Sequence, residues 1–511
     1  MDSISQAACI TLISAASSLA LLSWKYNDRG VFDDYRQGCV HRPGLPLIGS
    51  LPSILKNRQT LLDWHLEAFD KTDALTMSVS GSTIPMSIIT IDPRNIEHFL
   101  KTNFENYAKG PRFRLATADL LGNGIFTADG EHWRWQRKTA SHIFYVRNFR
   151  DHFTDAFVKE INLMCAQIFD NAIDQGTPVD FHAAMHKFTL ESFVLIGFGT
   201  QLNAIAQENV PFAVSFDELQ KHAVNVLVNP FAPLQVLADR VFQPSKPTVE
   251  QHLDTINNFA YSVIEQRREG LAQGKEYQDL LSRFMQAKNA EGNPLSDQEL
   301  RDTVLNFIIA GRDTTAQALS WAFYALITHP HVEKALLEEI EKHDVDSVEH
   351  DSPALYETIK QMTYAHAVFY EVLRLYPSVP SNLKYALKDD IWPDGTHVKK
   401  GDYIMWLSYV QGRSEKIWGH DARQFRPERW ITPDGELRRE SQAQWSVFHA
   451  GPRVCLGQQL ATLEALVAII FLLRRYRFSL VPNQTITYQT TMTMPMKYGM
   501  KVYIEKRHPS S

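Results

Sequence analysis

The sequence has 511 residues, of which 44% are hydrophobic and 22% are charged. A chain of this length and composition can bury a large core, which excludes a disordered, collagen-like or small disulfide-stapled protein. With 52 basic and 58 acidic residues the formal net charge is −6, so the basic excess of a nucleic-acid-binding protein is missing. The four cysteines, Cys9, Cys39, Cys165 and Cys455, are too widely spaced for a CxxC zinc or redox motif and do not indicate a disulfide framework.

The N-terminal segment is apolar. Residues 8–24 carry no charge, and as a helix they would span roughly 25 Å, slightly less than the ~30 Å hydrocarbon core of a bilayer. A cleaved signal peptide would need a basic start, where this chain has Asp2, and a buried helix that is apolar on all sides is a further alternative. The pattern favours a single membrane anchor over residues 1–25, and the basic residues Lys25 and Arg29 place the rest of the chain on the cytosolic side.

A stretch rich in proline and glycine follows the apolar segment. Residues 41–52 read HRPGLPLIGSLP, which is typical of an irregular connector. We predict a linker with a proline-rich hinge over residues 26–52 and one catalytic domain over residues 53–511. An ordinary loop is the alternative to the hinge.

The remainder of the chain is predicted to be mainly helical. Apolar residues at three-to-four spacing predict helices over residues 153–174, 248–273 and 296–328. Strand-like alternation is confined to short pieces such as residues 76–91 and 500–505. Strands and helices do not alternate, which argues against a doubly wound sheet. The sequence also has no GxGxxG, GxSxG or HExxH motif, so the chain carries no nucleotide-reducing or hydrolytic apparatus of its own.

The longest predicted helix has an unusual middle. Ser296 and Glu299 form a capping box that marks its start. Residues 310–315 read AGRDTT, a poor helix interior because glycine and threonine have low helix propensity and threonine hydroxyls compete for backbone carbonyls. One interpretation is a kink with a solvated Asp313. The other is an acid–alcohol pair, Asp313 and Thr314, that relays protons in an active site.

Cys455 lies in a loop of glycine and proline directly before a predicted helix over residues 458–475. Free backbone N–H groups and the helix dipole stabilise a thiolate at such a place. One thiolate serves a zinc site poorly, whereas haem iron needs only one proximal protein ligand. Arg453 would then pair with a haem propionate, and Phe448 would shield the sulfur. On residue chemistry alone, a buried structural cysteine remains the stronger interpretation.

The residues around this cysteine resemble a known signature. The pattern FxxGxRxCxG of the cytochrome P450 family, the haem-thiolate monooxygenases, is reproduced by Phe448, Gly451, Arg453, Cys455 and Gly457. The resemblance covers nearly all of the body. It implies a mainly α cytochrome P450 fold with small β-sheets, preceded by the N-terminal anchor helix. It also implies haem b as cofactor, with Cys455 as the axial ligand of the iron and the other four residues around the haem.

The middle of the longest helix resembles the AGxDT motif of the same family. The resemblance implies that Gly311 makes room beside the bound oxygen, that Thr314 hydrogen-bonds the oxygen, and that Asp313 helps to relay the protons needed for O–O cleavage. Ala310 stands where one hydroxylase branch has a glutamate esterified to the haem, so a covalent haem link is not expected here.

The resemblance extends to two charged residues on one predicted helix. Glu371 and Arg374 are three residues apart, and alone they would form an exposed salt bridge worth about half a kcal/mol. Together with Arg429 they match the family's ExxR motif and its later arginine. The match implies a buried structural triad near the cysteine loop, important for haem retention.

Three further residues resemble the family's propionate-binding residues. Trp133 and Arg137 match the WxxxR helix, in which both side chains hydrogen-bond a haem propionate. Lys384 lies where many relatives carry another propionate-binding arginine. Lysine supplies a point charge without the planar fork of arginine.

The strings LYPSVP and IWGHDARQFRPERW are most similar to the fungal alkane and fatty-acid hydroxylases and the plant fatty-acid ω-hydroxylases. That branch oxidises long acyl or alkyl chains, and its substrate contacts correspond here to the mostly apolar residues 115–126, 307–310, 379–383 and 491–496. An apolar lining suits equally a tailoring enzyme of fungal secondary metabolism that acts on a polyketide or terpenoid. Further alternatives are a haem-thiolate enzyme that rearranges or dehydrates its substrate without dioxygen, and a non-enzymatic haem sensor.

The chain has no flavin or nicotinamide motif, so its electrons must come from another protein. The resemblance implies an NADPH–cytochrome P450 reductase as donor, with dioxygen and an apolar small molecule as substrates and no nucleic acid. A shared endoplasmic-reticulum membrane, with this chain as a single-pass protein whose catalytic domain is cytosolic, would hold donor and acceptor at a high effective concentration.

Overall fold

The computed structural model describes residues 2–81, 84–141, 149–243, 245–277, 279–289 and 292–507. The α-helices of the first half are Asp2–Lys25, Leu51–Lys56, Leu61–Asp70, Pro93–Glu97, Pro111–Leu121, Gly130–Ser141, Thr154–Met164, Asn171–Gln175, Phe181–Phe198, Pro211–Val228, Ala232–Phe242, Val249–Ala272 and Leu280–Gln286. Those of the second half are Asp297–Ile308, Thr314–Thr328, Pro330–Lys342, Val345–Val348, Ser352–Gln361, Thr363–Leu375, Ser408–Arg413, Glu415–Trp418 and Gln458–Arg475.

Short helical segments of other types join these helices. The π-helical segments are His98–Thr102, Phe149–Phe153, Cys165–Asp170 and Ile309–Asp313. The 3-10 segments are Phe104–Asn106, Ala204–Ala206, Pro427–Trp430, Ser446–Phe448 and Gly451–Arg453.

The strands are short and form small sheets. They are β1 (Val40–His41), β2 (Thr76–Gly81), β3 (Ile84–Thr90), β4 (Tyr107–Ala108), β5 (Val179–Asp180), β6 (Asn382–Ala386), β7 (Asp390–Ile391), β8 (His397–Val398), β9 (Tyr403–Trp406), β10 (Tyr476–Leu480) and β11 (Lys501–Lys506). Six of them pair in the order β1-β2-β3-β9-β6-β4, three in the order β10-β11-β5, and β7 pairs with β8. The mainly helical architecture with small sheets, which the sequence predicts, is confirmed.

The longest helices lie where apolar periodicity predicts them. The predicted helix over 248–273 is Val249–Ala272, and the predicted helix over 153–174 runs from Thr154 with a π-helical turn in its middle. The predicted strand over 76–91 is the antiparallel pair β2 and β3, and its residues 82–83 lie outside the described part of the chain. Helix Gln458–Arg475 has the predicted bounds, and its apolar side chains are almost all buried in the core.

The N-terminal helix stands apart from this core. It runs over Asp2–Lys25, and its window Ala8–Lys25 has a mean hydropathy of 1.4 with none of its residues buried. By length and composition this helix is a candidate membrane span, and it is the single such helix among the described residues.

The segment predicted as a linker, residues 26–52, packs on the six-stranded sheet, and its division from the catalytic domain stays a prediction. Strand β1 pairs in parallel with β2, and the N–H group of Ser50 donates to the carbonyl of Ser80 at 2.7 Å. Arg36 forms a two-pronged ion pair with Asp402, at 2.6 and 2.7 Å, and both side chains are buried. The proline-rich stretch is therefore held by backbone and charge contacts, and the exposed helix ends just before them.

We predict that Arg36→Leu lowers the free energy of unfolding by about 3–5 kcal/mol, because it leaves the Asp402 carboxylate buried without its countercharge. Urea unfolding of the detergent-solubilised protein, followed by tryptophan fluorescence, measures the change. The matched control is Lys399→Ala, since the Lys399–Asp34 pair is 3.7 Å long and exposed and is worth about 0–1 kcal/mol. Equal unfolding midpoints for the two variants would contradict the structural role of Arg36.

Candidate active site

The central helix, which we define as residues 297–328, begins at the predicted capping box. The Ser296 hydroxyl accepts from the Glu299 N–H group, and the Glu299 carboxylate accepts from the Ser296 N–H group at 2.8 Å. The helix continues to Thr328, and its middle, Ile309–Asp313, is a π-helical turn. A π turn leaves carbonyls without their usual intrahelical donors.

Side-chain hydroxyls satisfy the carbonyls around this turn. Thr314 donates to the carbonyl of Ala310 at 2.6 Å. Thr189, from the neighbouring helix, donates to the carbonyl of Arg312 at 2.8 Å, and Ser378 donates to that of Thr314 at 2.7 Å. The threonine hydroxyl therefore competes for a backbone carbonyl, as the sequence predicts, and the distortion is a widened turn.

One face of the central helix is open. From residue 300 to residue 323 every side chain is buried except those of Ala310, Gly311 and Thr314, which are half-buried. Ala310 and Thr314 are four residues apart and lie on one side of the helix, and we call this side the open face. The assignment of Thr314 as an active-site alcohol stays a prediction.

Gly311 does not face free space, which corrects its expected contribution. A Cβ atom at position 311 would overlap the ring of Phe193 on helix Phe181–Phe198. The missing side chain lets these two helices approach each other. The room that Gly311 leaves is therefore taken by a protein side chain.

Asp313 is buried, with 1% of its surface exposed, so the interpretation as a solvated kink residue is wrong. Its carboxylate accepts from Arg312 at 2.9 Å and from the Gln220 amide at 2.7 Å. Arg312 also pairs with Asp217 at 2.7 Å. Burial raises the pKa of Asp313 to about 6, against the opposing effect of Arg312. A carboxyl with this pKa can both hold and release a proton near neutral pH.

The cysteine loop, defined as residues 446–457, joins two short 3-10 turns to helix Gln458–Arg475. The N–H group of Cys455 donates to the carbonyl of Phe448 at 2.9 Å. The backbone at Gly451 has φ +64°, and a Cβ there would collide with the carbonyl of Leu100. Glycine is therefore required at position 451, because the loop packs backbone to backbone on segment His98–Thr102.

The Cys455 side chain keeps accessible surface, although the surrounding protein raises the pKa of the thiol by burial. The N–H group of Gly457 and the charge of Arg137 act in the opposite direction, so part of the predicted thiolate stabilisation is present and burial outweighs it. A Cβ at position 457 would meet only the Cys455 sulfur, at 3.9 Å. Gly457 therefore leaves room beside the sulfur for a flat group.

Basic side chains gather beside the cysteine loop around a single carboxylate. Arg453 donates to Asp129 at 2.7 Å. Lys384 is fully buried, and burial together with Arg453 and Lys109 holds its pKa well below the usual value. Burial and Arg453 also lower the pKa of Lys109 to about 7. His449 lies in the same field of positive charge, which together with burial lowers its pKa.

This cluster has the donor chemistry for the haem propionates. Arg453 Nε and His449 Nε2 are buried and have no hydrogen-bond partner among the described residues. Protonation of Lys384 and Lys109 is unfavourable in this interior unless anions neutralise the added charge, and two propionates would do so. Trp133 lies under the Arg453 guanidinium at 4.3 Å, and Arg137 is 5.9 Å from the same ring. The residues present therefore fit a haem group beside Cys455.

Three members of this cluster were not among the residues predicted from the sequence: Lys109, Asp129 and His449. Lys109 lies in the string NYAKGP, whose proline and glycine mark a turn before helix Pro111–Leu121. A turn pattern predicts local backbone structure, but it does not predict which charged residues from distant segments pack against the turn. His449 lies inside the cysteine signature at a position that the signature leaves variable.

Glu371, Arg374 and Arg429 lie together and are buried, so the exposed-salt-bridge interpretation is wrong. Arg374 donates to both oxygens of Glu371 at 2.7 Å, and Arg429 donates to one of them at 2.9 Å. Arg374 also donates to the carbonyl of Ala422 at 2.5 Å and to that of Gln424 at 3.0 Å. Every charge here is paired, as burial requires.

Aromatic rings connect these ion pairs to the cysteine loop. The Trp430 indole donates to Glu371 at 3.0 Å. The Trp430 ring packs on Trp445 at 5.1 Å, and Trp445 packs on Phe448 at 5.6 Å. The position of Phe448 is therefore coupled by contact to the buried charges.

We predict that Gly451→Ala lowers the free energy of unfolding by about 2–4 kcal/mol, because the substitution adds both backbone strain and a collision with the Leu100 carbonyl. Gly435→Ala is the matched control: Gly435 has φ +82°, but no atom lies within 4 Å of the place that its Cβ would take, so about 1 kcal/mol of backbone strain is expected. Urea unfolding of both variants separates collision from strain. Similar losses in the two variants would contradict the close packing at Gly451.

Comparison with known proteins agrees with this geometry. The family model described as Cytochrome P450 matches residues 41–502. The chain is 34% identical to Cytochrome P450 704B1 of Arabidopsis thaliana, over 90% of this chain and 94% of that protein. It is 35% identical to Cytochrome P450 monooxygenase cyp1 of Mycosarcoma maydis, over 92% of this chain and 76% of that protein. This family binds haem b with an axial cysteine thiolate and uses a redox partner, dioxygen and a hydrophobic substrate. The chain therefore belongs to the cytochrome P450 family and is a haem-thiolate monooxygenase.

Proposed function

We propose that this monooxygenase hydroxylates a long-chain fatty acid or alkane, with Cys455 as the axial ligand of its haem. The observation that carries the cofactor assignment is the surplus of buried positive charge beside the Cys455 sulfur. The similarity to Cytochrome P450 704B1, Cytochrome P450 86B1 and Cytochrome P450 94B1 of Arabidopsis thaliana, at 33–34% identity, supports membership of the fatty-acid hydroxylase branch.

We assign the contacts with the cofactor to residues that the structure brings together. Trp133, Arg137 and Arg453 hold the haem propionates, with Lys384 and Lys109 as neighbouring buried cations. Phe448 and the glycines Gly451 and Gly457 shape the loop around the sulfur. When bound, haem b supplies dioxygen binding and one-electron chemistry. The Glu371–Arg374–Arg429 triad keeps the cysteine loop in place through Trp430 and Trp445.

Proton supply falls to the central helix. The Thr314 hydroxyl lies on the half-buried face of this helix and is held by a hydrogen bond to the Ala310 carbonyl. Asp313, the residue before Thr314, carries a titratable proton, and its pKa of about 6 suits proton transfer near neutral pH. The presence of both the acid, Asp313, and the alcohol, Thr314, supports monooxygenation. It argues against a rearrangement that needs no dioxygen and against a non-enzymatic haem sensor.

The segments proposed to contact the substrate are fixed to the central helix. Asn306 donates to the carbonyl of Leu121 at 2.7 Å, which holds the 115–126 segment. Gln317 donates to Thr493 at 2.8 Å, and the Trp321 indole donates to the carbonyl of Met494 at 2.9 Å, which together hold the 491–496 segment. Polar groups are thus used for anchoring, and the remaining side chains of these segments are mostly apolar. Such a lining supports a hydrocarbon substrate.

Two exposed apolar surfaces support a membrane location. The first is the N-terminal helix. The second is helix Ala232–Phe242, where Leu234, Leu237 and Val241 are 65%, 60% and 63% exposed on one face. Exposed apolar surface of this kind is favourable in lipid and unfavourable in water. We place the protein as a single-pass protein in the endoplasmic-reticulum membrane with the catalytic domain in the cytosol, where an NADPH–cytochrome P450 reductase supplies the electrons.

We predict that Cys455→Ser abolishes the thiolate-type carbon-monoxide difference spectrum and product formation, because serine does not supply a thiolate. Cys39→Ser is the matched control. The Cys39 sulfur donates to the carbonyl of Arg36 at 3.5 Å, and a serine hydroxyl can make the same hydrogen bond. Spectra of the purified proteins provide the measurement, and an unaltered spectrum in Cys455→Ser would overturn the cofactor assignment.

We predict that Thr314→Ala uncouples NADPH consumption from hydroxylation, with a several-fold rise in released hydrogen peroxide. Thr303→Ala is the control, because the Thr303 hydroxyl makes the same type of bond to a carbonyl four residues earlier on the same helix, at 2.8 Å, and its side chain is buried about two turns before the half-buried positions. Product, NADPH and peroxide are quantified together in the reconstituted system. Coupling equal to that of the wild type in Thr314→Ala would refute the proton-delivery role.

The substrate class is tested by mass spectrometry of products. Microsomes containing the full-length protein, reductase and NADPH are supplied with C12–C18 fatty acids, the matching alkanes, and a panel of polyketides and terpenoids. We expect hydroxylated acids or alkanes as the main products. Turnover of the polyketides or terpenoids alone would instead assign the enzyme to secondary-metabolite tailoring.

A further inference from the structure

A cavity with both apolar and titratable lining residues lies beside Asp313 on the central helix. It is lined by helix Phe181–Phe198, helix Pro211–Val228, the central helix and the C-terminal residues 489–496, and its volume is about 290 Å³. It therefore adjoins the 491–496 segment proposed above to contact the substrate. Titratable groups face it from every side. Besides His186 and Asp313 these are His182, Lys187, Glu208, Asp217, Lys221 and Arg312.

Three buried polar atoms around this cavity have no hydrogen-bond partner in the described part of the chain. They are His186 Nδ1, Gln220 Oε1 and Arg312 Nε. Buried polar atoms are almost always satisfied by protein or by ordered water. A cavity of this size, lined by such atoms, is suited to hold water molecules that complete their hydrogen bonds.

Asp313 lies at the inner end of the cavity. Its carboxylate is fixed by Gln220 and Arg312, and the His186 Nδ1 atom is 3.7 Å from one carboxylate oxygen. This distance is too long for a direct hydrogen bond but can be bridged by one water molecule. The outer end is lined by exposed residues such as Ala183 and Val214.

We propose that this cavity is the path by which protons reach Asp313 from solvent, and that His186 is the residue that passes them to the Asp313 carboxylate. The inference rests on the proton-supply role of Asp313 in the proposed function and adds the route and the residue that serve it. Each proton accepted on one imidazole nitrogen is matched by one released from the other, so His186 carries no net charge after a transfer.

The surroundings of His186 suit this role. Burial, His182 and Arg312 hold the pKa of His186 well below its usual value, so the imidazole is neutral near pH 7 and can donate through one nitrogen while accepting through the other. Its side chain keeps 14% of its surface exposed, whereas that of Asp313 keeps 1%. His182 is less suited, because its Nδ1 atom is already engaged with the Ser320 hydroxyl at 2.9 Å.

The test uses full-length protein reconstituted with reductase and the compound turned over in the product assay. His186→Phe removes the proton-transfer group, and Ala183→Phe adds a ring at the exposed mouth of the cavity, where a folding defect is not expected. His252→Gln is the control. His252 is a half-buried histidine that bonds a serine on helix Pro211–Val228 at 3.1 Å and does not line the cavity.

We expect both cavity variants to lose at least threefold in product formed per NADPH, to show a larger solvent deuterium isotope effect on kcat, and to keep the carbon-monoxide difference spectrum of the wild type. A merely structural role would not change the isotope effect. If His186→Phe and Ala183→Phe keep the wild-type coupling and isotope effect while Thr314→Ala is uncoupled, the proposed route is wrong and the proton-supply role of the central helix stands. Unchanged values in all three variants would overturn the proton-supply role as well.

Discussion

The buried positive charge beside the cysteine loop is the constraint on which the rest of this structure depends. Arg453 pairs with Asp129, and the buried amino groups of Lys384 and Lys109 lie within its electrostatic reach, inside a protein interior where unpaired charge is costly. No local sequence preference would assemble such a set, because its members come from distant segments. The arrangement is favourable only when an anionic group completes it, so binding of the cofactor and folding of this region stabilise each other.

The central helix is a second structural constraint. A uniform α-helix buried on all sides would present apolar side chains to its neighbours. The π turn at Ile309–Asp313 instead sets Thr314 on a half-buried face, and Asp313 contacts Gln220 beside a cavity. Hydroxyl groups from Thr189 and Ser378 compensate the carbonyls that the turn leaves free. The helix thus places the Thr314 hydroxyl and the Asp313 carboxylate in different environments, although the two residues are consecutive.

The surface of the molecule has two exposed apolar regions. An exposed apolar helix precedes the catalytic body, and a second exposed apolar face lies on helix Ala232–Phe242. Residues 26–50 do not swing freely between anchor and body, since Arg36 and strand β1 hold them on the sheet. The body therefore keeps a defined relation to the segment that follows the anchor, which suits an enzyme whose apolar substrates dissolve in lipid.

Part of this description was available from the sequence. Apolar periodicity and the capping box at Ser296 predicted the central helix, because capping and amphipathicity are local properties. The cysteine signature identified the family, and the AGRDTT string predicted a distorted helix centre. The sequence alone could not show that residues 26–52 are packed as part of the sheet, since backbone pairing with strand β2 depends on a partner more than thirty residues away.

Tertiary structure decided the environment of each functional side chain. Helical spacing alone left Glu371 and Arg374 as an exposed pair, and only burial by the segment carrying Arg429 and Trp430 makes them a closed network. Gly311 faces Phe193, and Asp313 faces Gln220 and a cavity, because three helices meet there. Residue type and order thus fixed which chemistry is present, whereas charge burial, exposure and proton access arise from contacts between segments far apart in the chain, which local propensities do not encode.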